Sequence, residues 1–279
     1  MKFDFTKLTG AGNDFILLDG INGRLPELTP EIIQSLCLRR MGIGADGVLV
    51  IQPSNEFDYS LKYYNADGSS GMLCANGARA SVIYAYSKIN PNKKEFGFSC
   101  CGKRYSGEVI NESEAVVKLP QIEEGKFETI GIDSKNINIY VADTGAPQAV
   151  LEFSEISSSS EIFDEFDFSI FAKKVRHHKK FLPAGINVNV IAEVSGQYFI
   201  RSFERGVEDE TPACGTGIVA AAMFLFERKK EKTPIEIISR SKKKFIIDFR
   251  KKLTNFKTVS LRGHAAIVFN GNIDIKENK

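Results

Sequence analysis

Two stretches of this sequence are built alike: NADGSSGMLCANGARASVIYAY at 65–86 and ERGVEDETPACGTGIVAAAMFLF at 204–226. Each runs from polar residues to a cysteine, then small residues, then a segment whose alanines and length favour a helix. The first turns of ARASVIYAYSKI and GIVAAAMFLFERKK are apolar on nearly every face rather than along one stripe. A helix of that kind must be enclosed, and the natural enclosure is a sheet wrapped around it. The repeat therefore predicts two similar units, each with a central buried helix entered through a cysteine.

The surrounding segments agree. MKFDFTKL reads as a first strand and GAGND as a turn, while TPEIIQSLCLRR has helical spacing with Thr29 and Pro30 at its start. GADGVLVIQ, FDYSLKYYNADG, KEFGFSC, KRYSGEVI and EAVVKLP follow as short strands. NINIYVAD, GINVNVIAEV, QYFIRSFER, IEIISR, KKFIIDF, FKTVSLRG and HAAIVFNG repeat that texture in the second half. SEISSSSEIFDEFDFSIFAKKVRHH holds one or two helical pieces, with SSSS as a loop or cap. The fold class is α/β, or α+β in some schemes, and 279 residues suffice for two domains. A cut near 118 matches the change of half, although no flexible linker marks it.

Composition removes several alternatives. Lys+Arg of 37 against Asp+Glu of 35 leaves +2, so no broad positive field points to nucleic acid. KKFLP, SKKKF and RKK read as solvated faces, since no aromatic stacking pattern accompanies them. The opening MKFDFTKLTG has no apolar signal core, and IVAAAMFLF is far short of a membrane span. Five cysteines, at 37, 74, 100, 101 and 214, make no secreted disulfide framework, which favours a cytoplasmic, reducing location. His177, His178 and His264 have no zinc spacing with any of them, and no metal site is expected.

A cysteine placed before a helix sits among unpaired backbone N–H groups at the positive end of the helix. Both favour thiolate and can hold an anion. Cys74 is followed by AlaAsnGly and Cys214 by GlyThrGly, small residues that let a ligand reach those N–H groups. Either cysteine alone also reads as a buried small hydrophobe. Their matched contexts favour chemistry. Cys100 and Cys101 lack this arrangement, and FGFSCCGKRY reads as a strand entering a turn.

GAGNDF at 10–15, GIGADG at 42–47, NADGS at 65–69, CANGARA at 74–80, TGAPQAV at 144–150, GINVNV at 185–190, ERG at 204–206 and ETPACGTG at 210–217 run in order along the chain. In these motifs the sequence resembles the diaminopimelate epimerase family. That resemblance implies two pseudo-symmetric domains with the active cleft between them, each a curved sheet around its central helix. It assigns 1–118 plus the C-terminal strand at about 263–279 to the first domain and 119–262 to the second. It also implies cofactor-independent interconversion of LL-2,6-diaminoheptanedioate and its meso form, with no metal, flavin, nicotinamide or pyridoxal phosphate.

By the same resemblance Cys74 and Cys214 act as thiolate base and thiol acid on opposite faces of the substrate α-carbon. Asn13, Asn65, Asn187, Glu204 and Arg205 recognise the amino and carboxylate groups, and Ala75, Asn76, Gly215 and Thr216 form the helix-entry turns around the α-carboxylate. The expected partner is a small amino-acid substrate, with a homodimer and neither nucleic acid nor membrane. The sequence departs from the family pattern in four places. Ala75 stands where glycine is usual, Ala146 where asparagine is common, and Gln148 where histidine is common; ERGVEDET is one residue longer. Gln148 is expected to support the pocket, since it can hydrogen-bond but not titrate. These departures keep two other readings open: a racemase or epimerase of another amino acid such as glutamate or histidine, and a non-catalytic amino-acid-binding relative.

Overall fold

The computed structural model describes residues 2–23, 25–71, 73–157 and 162–274. Three of the four serines read as a loop, 158–160, and the last five residues of the expected C-terminal strand, 275–279, lie outside the described residues. The chain forms two compact units. One comprises 1–119 and 262–279, the other 120–261.

The first unit contains β1 (Lys2–Gly10), β2 (Asn13–Asp19), α1 (Pro30–Cys37), β3 (Gly47–Gln52), β4 (Tyr59–Asn65), α2 (Ala75–Tyr84), β5 (Glu95–Cys100), β6 (Lys103–Asn111) and β7 (Glu114–Lys118). The second contains β8 (Ile122–Glu123), β9 (Lys126–Ile132), β10 (Lys135–Asp143), β11 (Pro147–Glu152), α3 (Phe153–Ile156), α4 (Phe168–Arg176), β12 (Asn187–Val194), β13 (Gln197–Glu204), β14 (Asp209–Thr211), α5 (Gly215–Lys229), β15 (Ile235–Ile238) and β16 (Lys244–Lys252). The boundary after residue 261 falls within β17 (Asn255–His264), and β18 (Ala266–Asp274) belongs to the first unit.

Within the first unit β1 pairs antiparallel with β18 and β2, β2 runs parallel to β3, β3 antiparallel to β4, and β4 parallel to β5. Within the second the same sequence of senses recurs. β10 is antiparallel to β11, β11 parallel to β12, β12 antiparallel to β13, and β13 parallel to β15. Each parallel step is bridged by helical crossovers, and the second crossover of each unit is the helix that follows the cysteine. The mixed α/β architecture with two like units is thus a property of the topology as well as of the sequence repeat.

The all-round apolar helices are buried as their composition requires. All ten residues of α2 are buried, against β1, β2, β3, β4, β6, β7 and β18. In α5 the run Ile218–Leu225 is wholly buried, and the helix packs on β10, β11, β12, β15 and β16. Each large apolar side chain so enclosed contributes roughly 1.5–3 kcal/mol. α1 covers another part of the first unit, where Ile33, Leu36 and Cys37 meet Ile16, Leu18, Val48 and Val50. Its start is as read, with Thr29 accepting from the Ile32 N–H and Pro30 opening the helix. ARASVIYAYSKI is not one uniform α-helix. It turns π-helical over Ala85–Ile89, and the Asn90 N–H reaches back five residues to the Ala85 carbonyl at 2.9 Å.

Candidate active site

Both cysteines cap their helices. The Cys74 sulfur accepts from the Gly77 N–H at 3.5 Å, and the Cys214 sulfur accepts from the Gly217 N–H at 3.4 Å. The sequence carries glycine at this third helical position because the surroundings leave no room for a side chain. A Cβ on Gly77 would lie 2.9 Å from Leu49 Cδ2, and one on Gly217 only 2.1 Å from Asn189 Oδ1. Small residues after each cysteine therefore serve packing.

In the first unit, Asn76 is the second residue of α2 and is 2% exposed. Its Nδ2 donates to Asn13 Oδ1 at 2.6 Å, and its Oδ1 accepts from Arg79 Nη2 at 2.5 Å. Asn13, at the start of β2, passes the chain on by donating to Asp46 Oδ2 at 2.9 Å. Arg39 then bridges Asp46 and Asp14, and Lys7 pairs with Asp14 at 2.7 Å. Arg79 can only donate and Asp46 only accept, so both amide orientations are fixed from the ends of the chain.

Arg79 is fully buried. Burial pulls its pKa down to about 10, which still leaves a cation at neutral pH, and the nearby Cys74 favours that charge in return. Asn65 ends β4 away from this chain, held by its own turn through Ser69 at 2.9 Å. Ala75 takes ordinary helical backbone, so the departure from glycine introduces no left-handed residue there.

The second unit holds its cysteine differently. Cys214 is 3% exposed, and burial, with the Glu204 carboxylate adding to it, pushes its thiol well above the ordinary range. Hydrogen bonds from Thr216 and the Gly217 N–H oppose that shift. Thr216 Oγ1 lies 3.5 Å from the sulfur and accepts from Gln148 Nε2 at 3.0 Å. Gln148 Oε1 accepts from Asn189 Nδ2 at 2.9 Å, and Asn189 Oδ1 accepts from the Ser202 hydroxyl at 2.7 Å. Gly215 is the first helical residue, and the Thr216 carbonyl accepts from Thr144 Oγ1 at 2.9 Å.

Asn187 opens β12, where its Oδ1 accepts from the Arg205 N–H at 2.7 Å. Glu204, at the end of β13, accepts from the Thr211 hydroxyl at 2.6 Å. The strand register makes the two units comparable. Phe15 is level with Gly47 and Gly47 with Asn65; Gln148 is level with Asn187, which lies one step from the Val188–Phe203 pair and so level with Glu204. Gln148 thus corresponds to Phe15, Glu204 to Asn65, and Ala146 to Asn13.

The acidic residues after ERG have structural partners. Glu208 pairs with Arg176 at 2.8 Å, Glu210 grips Arg201 through two bonds of 2.7 Å, and Asp209 accepts from Ser169. The remaining thiols begin no helix, Cys37 closing α1 and Cys100 closing β5. Burial pushes Cys37 up to about 12, and it pushes Cys100 there too, with Cys101 alongside at 3.6 Å.

Sequence reasoning missed Arg79, Asn189, Ser202 and Thr144. Two of them left a signal. Asn189 lies two residues from Asn187 in NVNV and so on the same strand face. Arg79 is the one charged residue in an otherwise uncharged helix segment.

Comparison with known proteins gives a consistent result. The model of the family described as "Diaminopimelate epimerase" matches residues 5–121 and 140–251. The diaminopimelate epimerase of Chlorobaculum tepidum is 35% identical over 271 residues, covering 96% of this chain and all of that protein. That of Aquifex aeolicus is 31% identical over 282 residues, with 97% of each chain covered. Among solved structures, a probable proline racemase from Agrobacterium radiobacter superposes with a TM-score of 0.75 at 11% identity, covering 99% of this chain and 94% of the other. A phenazine biosynthesis protein of the PhzF family from Enterococcus faecalis gives 0.69 at 15% identity, with 99% and 100% covered. At such identities the structural likeness speaks for the fold alone.

Proposed function

The chain belongs to the diaminopimelate epimerase family, and from that premise we propose that it interconverts LL-2,6-diaminoheptanedioate and the meso isomer without a cofactor. The observation that carries the reading is the pair of cysteines capping two buried helices at topologically equivalent places. Inversion at carbon needs a proton removed from one face and another delivered to the opposite face. One group working from one side restores the original hand.

In this reading one sulfur, as thiolate, takes the α-proton, and the other, as thiol, gives its proton to the opposite face. The substrate leaves as its isomer with the protonation of the two sulfurs exchanged. Running the reaction backwards exchanges the two roles, and burial with Glu204 favours the neutral form of Cys214. Buried Arg79 favours negative charge near Cys74. The α-proton is weakly acidic, and no pyridine ring spreads the charge that develops on its removal. N–H donors at the helix entries, from Ala75 and Asn76 and from Gly215 and Thr216, stabilise it at the α-carboxylate.

Asn13, Asn65 and Asn187 supply amide contacts, Glu204 meets ammonium, and Arg205 meets carboxylate. Gln148 stands behind Thr216 rather than against substrate. A homodimer and a reducing, cytoplasmic setting, which keeps both thiols available, complete the proposal.

The test uses the whole chain, reduced and without added cofactor, in deuterated buffer with LL-diaminopimelate. One solvent deuterium at the inverted α-carbon and a meso product on chiral chromatography are expected. Folded protein that gives neither sinks the reading. Ala146 and Gln148 favour one alternative, a racemase of another amino acid, because they alter the second unit's wall. Exchange with glutamate or histidine, but not with diaminopimelate, selects it. Calorimetric binding with no exchange selects a non-catalytic relative.

A further inference from the structure

The side chains behind Cys214 form a chain of hydrogen bonds whose direction can be settled from one backbone atom. Asn189 Nδ2 lies 3.2 Å from the Ala149 carbonyl, which can only accept. That fixes the nitrogen side of the Asn189 amide. The same Nδ2 lies 2.9 Å from Gln148 Oε1, so the two Asn189 hydrogens are both used and Gln148 must turn its own nitrogen toward Thr216. The Asn189 oxygen is occupied by the Ser202 hydroxyl at 2.7 Å. Gln148 and Asn189 are wholly buried, so water offers neither an alternative partner.

A hydroxyl has one hydrogen. With the Gln148 N–H occupying a lone pair of Thr216 Oγ1, that hydrogen is left for the Cys214 sulfur at 3.5 Å. We infer, resting on the assignment of Cys214 as a proton-transfer group, that Gln148 and Asn189 are a positioning pair that makes the Thr216 hydroxyl a dedicated donor to the Cys214 sulfur.

The consequence is chemical rather than only structural. A sulfur that must alternate between thiol and thiolate gains from every donor aimed at the charged form, most of all where burial opposes that form. Glu204 on β13 bears on Cys214 in the opposite sense. β11 and β12 present the uncharged Gln148 and Asn189, and its own helix presents Thr216 and the Gly217 N–H. An acceptor-only side chain at position 148 reverses the chain: it captures the Thr216 hydrogen and leaves the sulfur with the Gly217 donor alone. A side chain with no donor leaves the hydroxyl free to rotate.

The experiment needs no substrate, so its outcome is independent of which amino acid the enzyme inverts. The whole reduced protein is alkylated with iodoacetamide across roughly pH 6 to 9, and labelling of each cysteine is read by peptide mass spectrometry. Below a thiol's pKa the rate follows its thiolate fraction, so a lost donor lowers the whole rate line. Q148M and T216V are expected to slow Cys214 about tenfold, which corresponds to about one unit in its pKa, while Cys74 in the same digest is unchanged.

Q148E is expected to slow Cys214 at least as much, T216S to match the parent, and Q148M/T216V to be no slower than T216V alone. Parent-like Cys214 labelling in folded Q148M and T216V overturns the inference. If Q148M unfolds, rapid labelling of buried Cys37 reveals it. The contrast between T216V and T216S then decides alone, equal Cys214 rates overturning the inference.

Discussion

The two units place the same device, a cysteine on a buried helix, at the same point of the same topology, yet they brace it by opposite means. Behind the first helix the chain of contacts begins and ends in ions, from Arg79 through Asn76 and Asn13 to Asp46 and its neighbours Arg39, Asp14 and Lys7. Behind the second every member is neutral, from Ser202 through Asn189 and Gln148 to Thr216. Both solve one problem. An amide has two ends that differ little in shape, and something must decide which end faces the site. The first unit decides with groups that only donate or only accept, and the second with the Ala149 carbonyl. Ionic ends tie the first arrangement to pH and salt, whereas the second has no titratable member.

The largest test asks whether the two halves are equivalent in chemistry despite that difference. C74A and C214A should each reduce net inversion to background, at least about a thousandfold, since neither proton transfer has a substitute. C37A, C100A and C101A should keep the reaction within a few-fold, allowing for packing losses. Chiral product formation by each variant is the measurement. Inversion near the parent rate by C74A or C214A breaks the equivalence.

A smaller effect compares the third helical residues. Alanine in place of glycine within a helix gains about 0.5–1 kcal/mol in conformational terms. In G217A that gain is outweighed by overpacking of about 1–3 kcal/mol against Asn189, with the Ser202 bond at risk as well. In G77A the obstacle is the far end of the flexible Leu49 side chain, so the net change should stay within about 1 kcal/mol. Urea unfolding of the two variants measures this, and a G77A that loses more than G217A reverses the ranking.

The smallest effect tests the ionic brace. Burial alone raises the Asp14 carboxyl, but hydrogen bonds from Arg39 and Lys7 and their charges hold it below the ordinary carboxylate range. A carboxyl with a lowered folded-state pKa contributes stability that is present above its unfolded pKa, near 3.8, and lost as pH falls through the folded value. D14N should therefore be less stable than the parent near neutrality, and the two should converge as pH drops below about 4. Added salt should narrow the gap, because Arg39 is largely exposed. Unfolding midpoints that differ by the same amount at every pH would show that Asp14 contributes nothing through its charge.

Much of this molecule was legible in its sequence. Helices apolar on every face could only be central, and a cysteine before each of two such helices could be read without coordinates, because capping and burial are local consequences of residue order. The motif from Asn13 to Thr216 likewise named the residues that stand at strand ends and helix entries. Strand β11 was harder to see: TGAPQAV carries a proline and turn-forming residues, and it becomes a strand through its pairing with β10 and β12. The supports were the least legible part. Arg79 lies within CANGARA and Asn189 within GINVNV, and neither motif says what its side chain meets. Their roles depend on partners distant in the chain, Asn189 lying 41 positions from Gln148. Residue order determined which side chains were available to cap, donate and accept. Only the tertiary structure decided the direction in which each amide and hydroxyl points, because a hydrogen bond's direction is set by both of its ends.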